Sequence, residues 1–164
     1  MKTHEEYMEL ALEEARKAEE IDEVPVGCII VCGGEVISRG HNLKEQLNQA
    51  YAHAEMMAIQ KAAEVKRNWC LNDCDLYVTL EPCMMCTGII NLSRIRTVYY
   101  GTTDPKGGCL ETVIDLKKIN RLNHYPNIVG NILQKECSEI LTNYFQKKRE
   151  ITKEKKQKNK ANIQ

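Results

Sequence analysis

Two short segments constrain this chain more than anything else in it: "HAE" at 53–55 and "PCMMC" at 82–86. Cys83 and Cys86 are three apart, so on a helix they share a face. In a first helical turn the dipole lowers thiol pKa and favours the thiolate a metal needs. Two thiolates and the imidazole of His53 make three protein ligands. A structural zinc has four; three leave one position for water. A fold that unites these residues must bring two helix starts to one point. Glu55 is two residues from His53, and residues two apart do not face each other along a helix. Side chains of a first turn can still converge on an ion lying beyond the helix end. There His53 binds the metal, and Glu55 stops short of it and meets the water. Two thiolates neutralise the formal charge of zinc, so the ion acidifies its water less than an all-imidazole site does. A carboxylate is then needed to take the proton.

The rest of the chain supplies the helix starts. Thr3 and Glu6 fit a capping box, and Met8, Ala11, Leu12, Ala15 and Ala18 follow at helical spacing to about Ile21. Strands are predicted over about 26–32 and 35–41, joined at Gly33-Gly34. Residues 43–51 read as irregular, and a helix runs from about 52 to 65. A buried strand at 75–80 leads into a helix over 82–91, with Pro82 as its first residue. A strand at 95–101, a loop to 111, a short helix near 112–119 and a weak strand from 127 follow. Leu133, Cys137, Ile140, Leu141 and Tyr144 mark a long amphipathic helix. Helices alternating with short strands argue for a sheet covered on both faces.

With 164 residues the chain suits one domain, expected over 1–150. It can bury roughly 70% of its unfolded surface and needs no disulfide staple. The acid-containing first twenty residues lack an apolar signal core, and no run approaches the roughly 20 apolar residues of a membrane helix. The chain therefore reads as cytoplasmic, with no membrane and no evident protein partner of another kind. In that setting its eight cysteines are thiols or metal ligands. Net charge is zero, yet 147–160 carries eight Lys or Arg and two Glu. Residues 151–164 read as a basic, disordered tail, either simply solvated or helping to attract a polyanion such as RNA.

Plainer readings compete at the metal. Cys70 and Cys74 could complete a four-cysteine structural zinc with Cys83 and Cys86, or His53 could be a satisfied core histidine. Cys28 and Cys32 share a strand face and read as core. Cys109 and Cys137 read as ordinary thiols, and the paired methionines as packing.

His-x-Glu followed by Pro-Cys-x-x-Cys is the known signature of zinc-dependent base deaminases. Together with "VPVGCIIV", "GHN", "TLEPCMMCTGIINLSRI" and "TTDPKGG", the chain resembles the bacterial tRNA-specific adenosine deaminases, of the cytidine-deaminase-like superfamily. The likeness spans about residues 5–150. It implies a three-layer α/β/α sandwich around a five-stranded mixed sheet, one zinc per chain, and a homodimer whose two chains both touch RNA. It implies deamination of the wobble adenosine in an arginine tRNA anticodon stem-loop to inosine. By motif match His53, Cys83 and Cys86 are the zinc ligands and Glu55 the proton shuttle. Asn42 contacts the flipped base, and Val26, Ala54 and Pro82 line its pocket. Arg94, Asp104, Lys106 and Arg149 match segments near the bound loop. Two stretches depart from the pattern: "GGCLETVID" stands where a Gly-Ser pair is usual, and Tyr144-Phe145 where two phenylalanines are. The competing enzyme is a zinc deaminase of a free base or nucleotide, of guanine or cytosine type. A zinc-stabilised RNA-binding module without catalysis is the rival of another class.

Overall fold

The computed structural model describes residues 1–163. Helix α1 (His4–Glu20) opens on the capping box: the Thr3 side chain accepts from the Glu6 N–H, and the Glu6 carboxylate accepts the Thr3 N–H at 2.7 Å. Strands β1 (Gly27–Cys32) and β2 (Glu35–His41) pair antiparallel through Gly33 and Gly34, whose φ values of 58° and 86° a side chain would resist. A short helix, α2 (Lys44–Leu47), sits in the stretch expected to be irregular. Helix α3 (Ala54–Lys66), strand β3 (Cys74–Leu80), helix α4 (Met84–Leu92) and strand β4 (Thr97–Thr102) follow. The helix expected near 112–119 is a single 3₁₀ turn, Leu116–Lys118, ahead of β5 (Asn127–Val129) and α5 (Gln134–Ala161).

The sheet order is β2-β1-β3-β4-β5, with β1 antiparallel to both neighbours and β3, β4 and β5 parallel. This is the mixed five-stranded sheet the motifs implied. The strand period of two sends alternate side chains to opposite faces. Cys28 and Ile30 of β1, with Leu76 and Val78 of β3, join the α3 and α4 layer. Ile29, Val31 and Tyr77 pack instead beneath Tyr7, Met8 and Leu12 of α1 and Cys137 of α5. Three layers result, with α1 and α5 on one face and α3 and α4 on the other. Gly40 of β2 lets α3 come this close, since a Cβ there would lie 2.5 Å from the Ala54 carbonyl oxygen.

Residues 151–161 do not dissolve into coil; they continue α5, and every one is exposed. The high net charge of this stretch points to disorder, but charge alone does not decide it. Lys, Glu and Gln are good helix formers, and a helix already nucleated propagates one bond per residue. Tyr144 and Lys148 anchor the helix to the α1–β1 turn, where the Tyr144 hydroxyl donates to Asp22 at 3.2 Å and Lys148 pairs with the same carboxylate. The Tyr144 departure noted above thus adds a polar tie.

Candidate metal centre and its surroundings

Strand β3 runs toward the end of the sheet where α3 begins, and α4 starts there immediately after it. Helix α3 starts one residue past His53, so His53 is its N-cap, with extended backbone at φ −83° and ψ 156°. Glu55 is the second helical residue. The two are therefore not two apart on a helix: one stands outside it and the other inside, and their side chains meet from different directions. Cys83 is likewise the N-cap of α4, and Cys86 lies in its first turn. Neither N-cap side chain caps its own helix. For α3 that role passes to Asn42, whose Oδ1 accepts the Ala54 N–H at 2.9 Å. His53 is thereby left for other work.

The His53 Nδ1 lies 3.7 Å from both Cys83 Sγ and Cys86 Sγ, and the three donor atoms lie within 4.8 Å of one another. Tetrahedral zinc with ordinary Zn–S and Zn–N bonds needs sulfur–nitrogen separations of about 3.6 Å. Both sulfur–nitrogen separations fit the ion. Among the described residues the group has three members. The four-cysteine alternative fails: Cys74 belongs to a different group, with Cys32 and Asp73, while Cys83 and Cys86 face His53.

The hydrogen bond from Cys86 holds the Cys83 thiol down to about 4, with help from His53. Cys86 moves far the other way, through its bond to Cys83 and its burial. Glu55 is only 4% exposed. Burial pushes its carboxyl up to about 7, and it also lies within hydrogen-bond reach of Cys86. A buried carboxyl poised near neutrality beside a metal cluster is suited to taking and giving a proton.

Glu81 was not singled out in the sequence, although it directly precedes Pro82. Its buried carboxylate accepts the backbone N–H groups of Leu110, Glu111 and Thr112 at 3.0–3.2 Å, and the Thr112 hydroxyl. The Pro82 carbonyl accepts the Cys109 N–H at 2.8 Å. The 108–112 loop is thus tied to the segment that presents Cys83. The unusual "GGCLET" stretch supplies these donors.

The other expected residues divide into two sets. Val26, Ala54 and Pro82 are buried beside the cluster, and Asn42 also donates its backbone N–H to the Val26 carbonyl at 3.2 Å. Asp104, Lys106 and Arg149 share a cleft with Leu80, Thr102 and Phe145 at the same end of the sheet. A neighbouring cleft holds Asn42, Lys44, Phe145 and Lys148. Arg94 is apart from them all. It follows the far end of α4, with φ 63° and its guanidinium on the Asn91 carbonyl, about 15 Å of helix away from Cys83.

Comparison with known proteins agrees with this geometry. Residues 1–102 match the family model for the cytidine and deoxycytidylate deaminase zinc-binding region. The tRNA-specific adenosine deaminase of Bacillus subtilis is 46% identical over 150 residues, covering 92% of this chain and 91% of that one. The Agrobacterium fabrum protein of the same name is 45% identical over 148 residues, or 90% of this chain and 96% of that one. A structure from studies of A-to-I editing by tRNA:A34 deaminases at the wobble position superposes with a TM-score of 0.80 at 45% identity, covering 83% of this chain and 99% of that chain. A guanine deaminase from Nitrosomonas europaea shares the fold, with a TM-score of 0.73 at 20% identity over 88% and 85% of the two chains. The chain is a zinc-dependent deaminase and belongs to the family of tRNA-specific adenosine deaminases.

Proposed function

We propose that this protein hydrolyses the wobble adenosine of a tRNA anticodon loop, an arginine tRNA first among candidates, to inosine and ammonia. The observation that carries the reading is the buried Glu55 carboxyl beside a cluster of three metal donors. A zinc ion held by His53, Cys83 and Cys86 supplies an activated water when bound. Glu55 takes a proton from the attacking water and delivers it to N1 of the adenine. It then takes the remaining proton from the hydroxyl added at C6 and passes it to the departing amino group as the C–N bond breaks, so adenosine and water become inosine and ammonia. Asn42 fixes the base, with Val26, Ala54 and Pro82 around it. An unpaired loop lowers the cost of flipping that base out.

Asp104, Lys106 and Arg149 border the same mouth and suit contacts to the loop. Arg94 sits too far off to help its own site. A homodimer resolves this, because α4 and the turn after α3 expose Trp69, Met84 and Leu92 at 64–66%. Two apolar hollows meet at Leu92, one including Ile119 and Leu122, the other Met56 and Trp69. A patch of this kind marks a protein interface, and a second copy lets Arg94 reach the partner's RNA. The basic end of α5 adds phosphate contacts. No described helix is long and apolar enough to cross a membrane, and a tRNA substrate supports a cytoplasmic location.

Incubation with total tRNA, followed by sequencing in which inosine reads as guanosine, tests the reading. One position changing from A to G at the wobble site is expected. Turnover of free guanine or cytosine with tRNA unchanged would overturn it in favour of the small-molecule enzyme.

A further inference from the structure

The molecule carries a second thiol cluster, at the end of the sheet opposite the metal centre. Cys32 closes β1 and Cys74 opens β3, and the two are directly opposite in the antiparallel ladder. Residues so paired have Cα atoms about 4.5–5.5 Å apart, inside the range a disulfide spans. Their sulfurs and an Asp73 carboxylate oxygen lie within 4.8 Å of one another. Both thiols donate to Asp73, Cys32 at 3.4 Å and Cys74 at 3.5 Å. Lys66, the last residue of α3, binds that carboxylate and holds its ammonium 3.7 Å from Cys32 Sγ and 4.0 Å from Cys74 Sγ. A cation of the chain itself already lies against all three donors, which disfavours a metal there. Cys32 is half-buried and reachable, while Cys74 is wholly buried behind it.

We propose that Cys32 and Cys74 are a reversible dithiol–disulfide couple that takes hydrogen peroxide as its oxidant. The Cys32 thiolate attacks a peroxide oxygen, the O–O bond breaks, and the leaving hydroxide gains a proton, with Lys66 at hand to give it. The Cys74 sulfur then attacks the Cys32 sulfenic acid, losing its proton as the S–O bond breaks and a second water leaves. Two thiols are oxidised by two electrons, and one peroxide is reduced to two waters. Burial pushes the Cys74 thiol up to about 12, consistent with its acting second.

The test uses full-length, zinc-loaded protein treated with hydrogen peroxide, then denatured and alkylated, with free thiols counted by intact mass. Wild type is expected to lose a pair of alkylatable thiols, recover them with dithiothreitol, and keep its zinc throughout. C32S and C74S should each abolish the paired loss, and C74S should leave a dimedone-reactive sulfenic acid on Cys32. K66M should slow oxidation several-fold, because it removes the ammonium 3.7 Å from the Cys32 sulfur that can protonate the leaving hydroxide. The proposal is overturned if both thiols stay alkylatable in wild type while half-buried Cys70 is oxidised. It is equally overturned if wild type holds a second zinc that C32S loses.

Discussion

Helix α3 has a thiol cluster at each end. At its N-terminus stand His53, Cys83 and Cys86; at its C-terminus stand Cys32, Cys74 and Asp73. Each group offers two sulfurs and one further donor, and thirteen residues of helix, about 20 Å, separate them. The two ends differ in field and in resident charge. The N-terminal cluster sits where two helices begin and the potential is positive, with an imidazole and no lysine among its donors. The C-terminal cluster sits where a helix favours cations, and the chain puts Lys66 there. Similar residues are thus prepared for an added metal ion at one end and supplied with a cation at the other. The lesson is that donor type alone does not identify a metal site; what already occupies its centre does.

The largest effects should come from attacking that contrast directly. His53→Ala removes one of three ligands, and zinc content measured by plasma emission should fall to near zero along with deamination. Lys66→Ala at the other end should leave zinc at one per chain, and a loss of zinc there would break the comparison. Next, Glu55→Ala should keep the metal and lose about 10² to 10⁴ in rate on an anticodon stem-loop, the usual worth of acid–base help. Near wild-type turnover would mean that Glu55 has another role.

A smaller effect appears in the metal-free protein. The folded state raises the Glu55 pKa from 4.5 to about 7, so the fold favours the protonated form. The resulting penalty is absent below pH 4.5, grows between 4.5 and 7, and is complete above 7. Glu55→Gln should therefore stabilise the metal-free protein at pH 8 by up to about 3 kcal/mol, and by nothing near pH 4. Denaturant melts at the two pH values decide it. The smallest effect is Asn42→Ala, which strips the Ala54 N–H of its partner and should cost about 1 kcal/mol in the same melts.

Much of this was legible beforehand because local rules agree with one another. The capping box at Thr3 and the Gly33–Gly34 turn each point to the observed element, as does the metal spacing of Cys83 and Cys86. What escaped were features made by distant segments. The Glu81 clamp depends on three backbone N–H groups from a loop about thirty residues on, which no residue type announces. Cys32 read as core from its strand face, but it ends its strand and meets Cys74. The tail's charge suggested coil, whereas its helix-forming residues extend α5.

The sequence by itself pointed to the residues proposed as metal ligands and proton carrier and to the elements that bear them, because those depend on chemistry and on spacings of a few residues. Only the tertiary structure decided that His53 stands outside its helix and Glu55 inside it. It alone set the Cys32–Cys74 register and placed Arg94 away from its own chain's site. Each of these depends on how strands pair and helices pack across long stretches of chain, and no local spacing encodes that.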